Sequence, residues 1–116
     1  MTHTTTDDII ADIRVAVQPP AGVELGALVT PLLDAYAAAD RRLTMARAAQ
    51  FLATTPGNAA MENAFEDWLL ARDRGDAGPR KDEEIEARVE PQLKVRVLVA
   101  RLLHALGPWS PADRVP

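Results

Sequence analysis

Residues 93–106 read LKVRVLVARLLHAL, the longest dense run of large apolar side chains in the sequence. Wound as a helix, the run puts Val95, Leu98, Val99, Leu102, Leu103 and Leu106 on one wide arc. Lys94, Arg101 and His104 fall on a narrow strip opposite. A strand is the rival reading, because Leu93, Val95, Val97 and Val99 alternate with Lys94 and Arg96. The alternation fails at Leu98 and is lost over residues 101–106, so the helical period wins. An arc this wide requires neighbours on more than one side, which makes this helix the centre of an all-α fold.

Just upstream, residues 82–90 are acid-rich and read as helical too. Glu84 with Arg88, and Glu90 with Lys94, are spaced four apart in the favourable order. Pro91 then either bends one long helix or begins a new one. Beyond Gly107 and Pro108 the tail is too proline-rich for regular structure, and Trp109 is expected to fold back onto the bundle. Residues 1–5 form the other irregular tail.

Further out, Thr6 precedes Asp7 and Asp8 as a helix start, and Ile9, Ile10, Ile13, Ala16 and Val17 supply an apolar stripe. Gln18-Pro19-Pro20 ends it. Residues 23–29 can form a brief helical segment, and a helix that began near Val23 would be kinked by Pro31. Thr30-Pro31 then looks like a helix start, with an unbroken pattern to about Ala53, roughly 35 Å of helix. Leu32, Tyr36, Ala39, Leu43 and Ala46 line one face of it, and Met45, Ala49 and Leu52 an adjacent one. Residues 54–57, TTPG, break the chain, and Asn58 can cap the next helix. Met61, Ala64, Phe65, Trp68, Leu69 and Arg72 then follow a three-four spacing, with Gly75 as the stop. The expected fold is one domain over residues 1–116. It is a small antiparallel helical bundle of about four main helices, with the last one central. Leu98, Val99 and Leu102 should meet Leu43, Phe65 and Leu69 in its core.

Composition narrows the chemistry. The chain has no cysteine, so disulfides, thiol nucleophiles and cysteine-ligated metals are excluded. A net charge of -4 gives no general attraction for phosphate backbones or anionic membranes. No run approaches the length of a membrane span, and MTHTTTDD lacks the character of a signal peptide. A cytoplasmic protein is expected.

Candidate catalytic groups are few. His3 lies in the tail, and His104 sits beside Arg101 with no acid at a helical neighbour position to orient the ring. Ser110, the only serine, lies in the proline-rich tail. The acids Asp82, Glu83, Glu84, Glu86 and Glu90 lack the Glu-x-x-His partner of a bundle metal site, since position 101 is arginine. Asp7, Asp8 and Asp12 lack the spacing of a calcium loop. Both acidic clusters read as solvated helix starts. No enzyme activity, cofactor or metal is expected.

Residues 43–52, LTMARAAQFL, resemble the first helix of the helix-turn-helix in small DNA-binding regulators. That resemblance implies a second helix that reads bases, with Arg41, Arg42 and Arg47 as phosphate contacts. Glu62, Glu66 and Asp67 on the following helix would oppose such contacts. The favoured expectation is therefore a non-enzymatic protein-binding or assembly module, leaning to a homodimer. Its candidate interaction surface is whatever part of the arc Val95, Leu98, Val99, Leu102 and Leu106 the fold leaves open. The alternative is a DNA-binding regulator using residues 43–74.

Overall fold

The computed structural model of the chain describes residues 6–18, 23–75 and 89–106. Five helices account for most of them: α1 (Thr6–Ala16), α2 (Val23–Ala37), α3 (Arg41–Thr54), α4 (Ala59–Arg74) and α5 (Pro91–Ala105). The described residues contain no strand. The expected tails, the 82–88 segment, Ser110 and Trp109 lie outside them.

The 93–106 run is helical, and α5 packs against α1, α3 and α4. Leu93, Val95, Val97, Leu98, Val99 and Leu102 are all buried. Val97 falls outside the arc read from the sequence, and its burial reflects neighbours on several sides. Pro91 begins this helix. Glu90 before it is extended, and Pro91 occupies the first turn, where a missing N–H costs nothing. Val89, just ahead of it, is 2% exposed and belongs to the same core.

One long helix from Pro31 to Ala53 does not form. Two helices, α2 and α3, stand in its place, and Pro31 lies inside α2. Leu25, Val29, Leu32 and Ala35 recur at helical spacing across the proline, and all four are buried. That continuous stripe holds the helix through a residue that normally ends one. Pro31 itself is exposed, so the Ala27 carbonyl that it cannot serve lies on the wet side. The break comes instead at residues 38–40. Ala39 adopts the left-handed conformation, with φ 59°. Its N–H donates to Tyr36 O, and the Asp40 N–H reaches back to Ala35 O, closing α2 with the paired bonds of a Schellman motif. Asp40 then caps α3, its carboxylate accepting from the Leu43 N–H at 3.0 Å. Leu43, expected in the core, is 39% exposed because this break resets the phase of α3. Thr44, Met45, Ala48 and Phe51 are the inward residues.

The α4 boundaries follow the sequence. Asn58 accepts from the Met61 N–H at 3.2 Å, and Gly75 ends the helix at φ 73°. Phe65, Trp68 and Leu69 are buried, with Phe65 and Trp68 stacked at 5.4 Å between ring centroids.

Candidate functional site

The sequence-derived interaction surface is mostly interior. Val95 and Val99 are 0% exposed, as is Leu102, and Leu98 is 3% exposed. The helices packed around α5 cover most of the arc, and Leu103 and Leu106 towards its end keep partial access. Val95, Leu98, Val99 and Leu102 belong to the hydrophobic core, and Leu106 packs against it.

The three arginines of the alternative reading have separate surroundings. Arg41 donates from Nη2 to the Leu106 carbonyl at 2.6 Å, tying the start of α3 to the end of α5. A cation at the carbonyl end of a helix meets the negative pole of its dipole. Arg42 is exposed on α3. Arg47 is exposed as well, and its guanidinium lies 3.5 Å from the Gln50 amide oxygen. Among the described residues, Arg47 meets no carboxylate.

Two polar clusters organise the packing, and neither was singled out from the sequence. In the first, Arg96 of α5 donates from Nη1 to the carbonyls of Leu52 and Thr55 at 2.8 and 2.6 Å. Its Nε reaches Glu62 Oε1 at 3.1 Å. Glu62 in turn accepts the Asn58 N–H at 2.7 Å. One turn back, Gln92 donates to the Pro56 carbonyl at 2.6 Å. A single side of α5 therefore holds the end of α3, the linker and the start of α4. Gly57 is needed there for space, since a Cβ on it would stand 2.6 Å from both Arg96 Nε and Glu62 Oε2. The available signal was the position of Arg96 in an otherwise apolar run: a cation held there needs several acceptors.

The second cluster joins α1, α4 and α5. Arg72 bonds Asp12 at 2.9 Å and lies 5.3 Å from the Trp68 ring centroid. Arg101 bonds Asp73 at 2.8 Å. Asp12, read as part of an acidic helix start, is a partner in this packing. Tyr36 forms a smaller link, donating its phenol proton to Asp7 and accepting from the Thr6 hydroxyl, with the two hydroxyl oxygens 2.9 Å apart. The Asp7 carboxylate raises the Tyr36 pKa above its ordinary value of 10.0 by bonding the protonated phenol.

Two of the surface grooves are lined by described residues. One, of about 440 Å³, is lined by Ile9, Glu66, Leu70, Ala100, Arg101 and His104. His104 is exposed there. Glu66 is the carboxylate lining the same groove, contributed by a different helix. The other, of about 190 Å³, lies between α2 and α3. Ala27, Leu28 and Pro31 form its apolar wall, with Arg47, Gln50 and Thr54 on the opposite side. Leu28 is 55% exposed. The described residues contain no group of three or more metal-ligating side chains, and no helix among them is long and apolar enough to cross a membrane. Compared with known proteins, the chain matches no family model, no curated protein and no solved structure.

Proposed function

We propose that the chain is a non-enzymatic helical module that binds another protein, and that the α2–α3 groove is its docking surface. One observation carries the reading. Leu28 is 55% exposed in a groove with Ala27 and Pro31, directly across from Arg47, which meets no carboxylate among the described residues. Exposed apolar surface beside a charge fixes both the affinity and the orientation of a partner. The groove has room for one branched aliphatic side chain, and Arg47 would receive a carboxylate next to it. The proposal includes a cytoplasmic setting, antiparallel packing of the helices joined by short connections, and a second copy as a candidate partner.

The DNA-binding alternative draws less support. α3 and α4 each pack on α5. The accessible side of α4 carries Glu66 and Asp67, which would face the phosphates.

The test places a benzophenone photo-crosslinker at position 28 in the native host. The expected result is a discrete crosslinked product, to a second copy or to a different protein. A control crosslinker at the exposed Gln18 should yield none. A yield at position 28 no higher than the control would sink the reading.

A further inference from the structure

We infer that the partner is a second copy of this chain, docked head-to-tail, with the exposed face of α4 seated in the α2–α3 groove. This rests on the groove being a docking surface, and it names the occupant. The groove offers an apolar wall and a cation. The matching half lies elsewhere on the same chain. Leu70 of α4 is 42% exposed, a large aliphatic side chain on a helix with Glu66 and Asp67 one turn earlier. Residues four and three positions before Leu70 share its side of the helix, so aliphatic anchor and carboxylates form one patch. Both acids are exposed, and among the described residues neither forms an ion pair. Leu70 would enter against Leu28 and Pro31 while Glu66 or Asp67 met Arg47.

The two patches differ, and they sit on different helix pairs: α2 packs on α3, and α4 on α5. A contact between unlike patches leaves each copy one free donor face and one free acceptor face. Such contacts propagate as rings or open filaments rather than closing as a two-fold dimer. The expected behaviour is concentration-dependent growth that weakens with salt, because an exposed ion pair contributes to the contact.

Charge reversal with mixing tests this. Arg47→Glu should block the groove, and Glu66→Arg the α4 patch, each lowering association about tenfold or more by setting like charges together. Thermal melts confirm that each variant folds. Leu28→Asp and Leu70→Asp form a second pair should either charge variant unfold. Sedimentation velocity is run from micromolar to millimolar chain. The wild type should grow beyond a dimer, and each variant alone should remain monomeric. A mixture of the two charge variants should regain growth, because their intact patches pair and their reversed patches also meet as opposite charges, whereas a mixture of Leu28→Asp with Leu70→Asp should give a one-to-one dimer and nothing larger, because each contributes its one intact patch. The chain carrying both reversals should regain growth through the swapped charges. A monomeric wild type, growth unaffected by Arg47→Glu, or a mixture that stays monomeric while the wild type grows would each overturn the inference. If position 28 crosslinks a different protein while the chain stays monomeric, the inference fails and the groove survives as a docking surface. If position 28 crosslinks nothing, both fail.

Discussion

The two left-handed residues that end α2 and α4 make opposite predictions from one physical cause. Ala39 has φ 59° and Gly75 has φ 73°. Both terminate a helix, yet only the second is glycine. An L-residue with a Cβ in this conformation costs roughly 1–2 kcal/mol through the approach of that carbon to the following carbonyl. Glycine avoids the clash but gives up more chain entropy on folding, about 0.5–1 kcal/mol. Ala39→Gly should therefore stabilise the protein by about 0.5–1 kcal/mol. Gly75→Ala should destabilise it by about the same amount. The second change isolates backbone strain, because a Cβ at Gly75 would meet no atom within 4 Å. Ala39 is exposed, so its methyl contributes little packing that could be lost. Urea unfolding followed by circular dichroism gives both values. The slope against denaturant should be unchanged, since neither substitution alters the area buried. If Ala39→Gly lowered stability, or if both variants moved the same way, Ala39 would not hold the left-handed cap on which the α2–α3 break depends.

Leu102→Ala should cost roughly 2–5 kcal/mol, because the side chain is fully enclosed, and thermal unfolding would measure it. Gly57→Ala should cost about 1–3 kcal/mol by driving a methyl into the Arg96–Glu62 pair, detectable as a lowered urea midpoint. Arg96→Lys should also destabilise, since one ammonium group cannot span the Leu52 and Thr55 carbonyls and the Glu62 carboxylate as the guanidinium fork does. Tyr36 has a raised pKa, so unfolded chains lose the phenol proton first as pH passes 10.0. Its contribution to stability is complete below that value and fades as pH climbs through the higher folded value. Tyr36→Phe should reduce the alkaline loss of stability, measured from melts across that range.

The helices that read clearly were those whose local and global signals agreed. α4 has a cap at Asn58, a three-four stripe through Phe65, Trp68 and Leu69, and a glycine stop at Gly75, and all three hold. α5 was legible from periodicity alone. The α2–α3 region misled because its local signals pointed the wrong way. Thr30-Pro31 has the chemistry of a helix start, yet the buried stripe from Leu25 to Ala35 carries helix straight through it. The true break falls at Ala39, a residue type that favours helix and gives no hint of a left-handed turn. The hint lay one position on, at Asp40, a good N-cap that reads as surface charge when the pattern around it looks continuous. The apolar arc of α5 misled in a different way. Its width implied neighbours, but a sequence does not state how many the chain can supply, and here its own helices cover nearly all of it.

That coverage relocates any binding surface. A protein that closes its strongest apolar face internally must recognise partners through what its secondary faces leave open. Leu28, Val15, Leu43 and Leu70 are the large apolar residues left exposed among those described. Leu43 follows the exposed start of α3, and Val15 lies near the end of α1, beside a solvent-exposed Arg14. Leu28 and Leu70 differ from these in their company. The first stands across a groove from Arg47 and the second one turn from Glu66 and Asp67, and among the described residues none of these three charges forms an ion pair. Neither pattern stabilises the monomer, because exposed apolar area and unpaired exposed charge contribute little to folding. In the proposed contact between two copies, the aliphatic side chains would leave water together as the charges are neutralised. The same argument explains why Arg41 belongs elsewhere: it is bonded to the end of α5 and serves the fold. Arg47, two turns along the same helix, faces the groove and is the arginine on which association should depend.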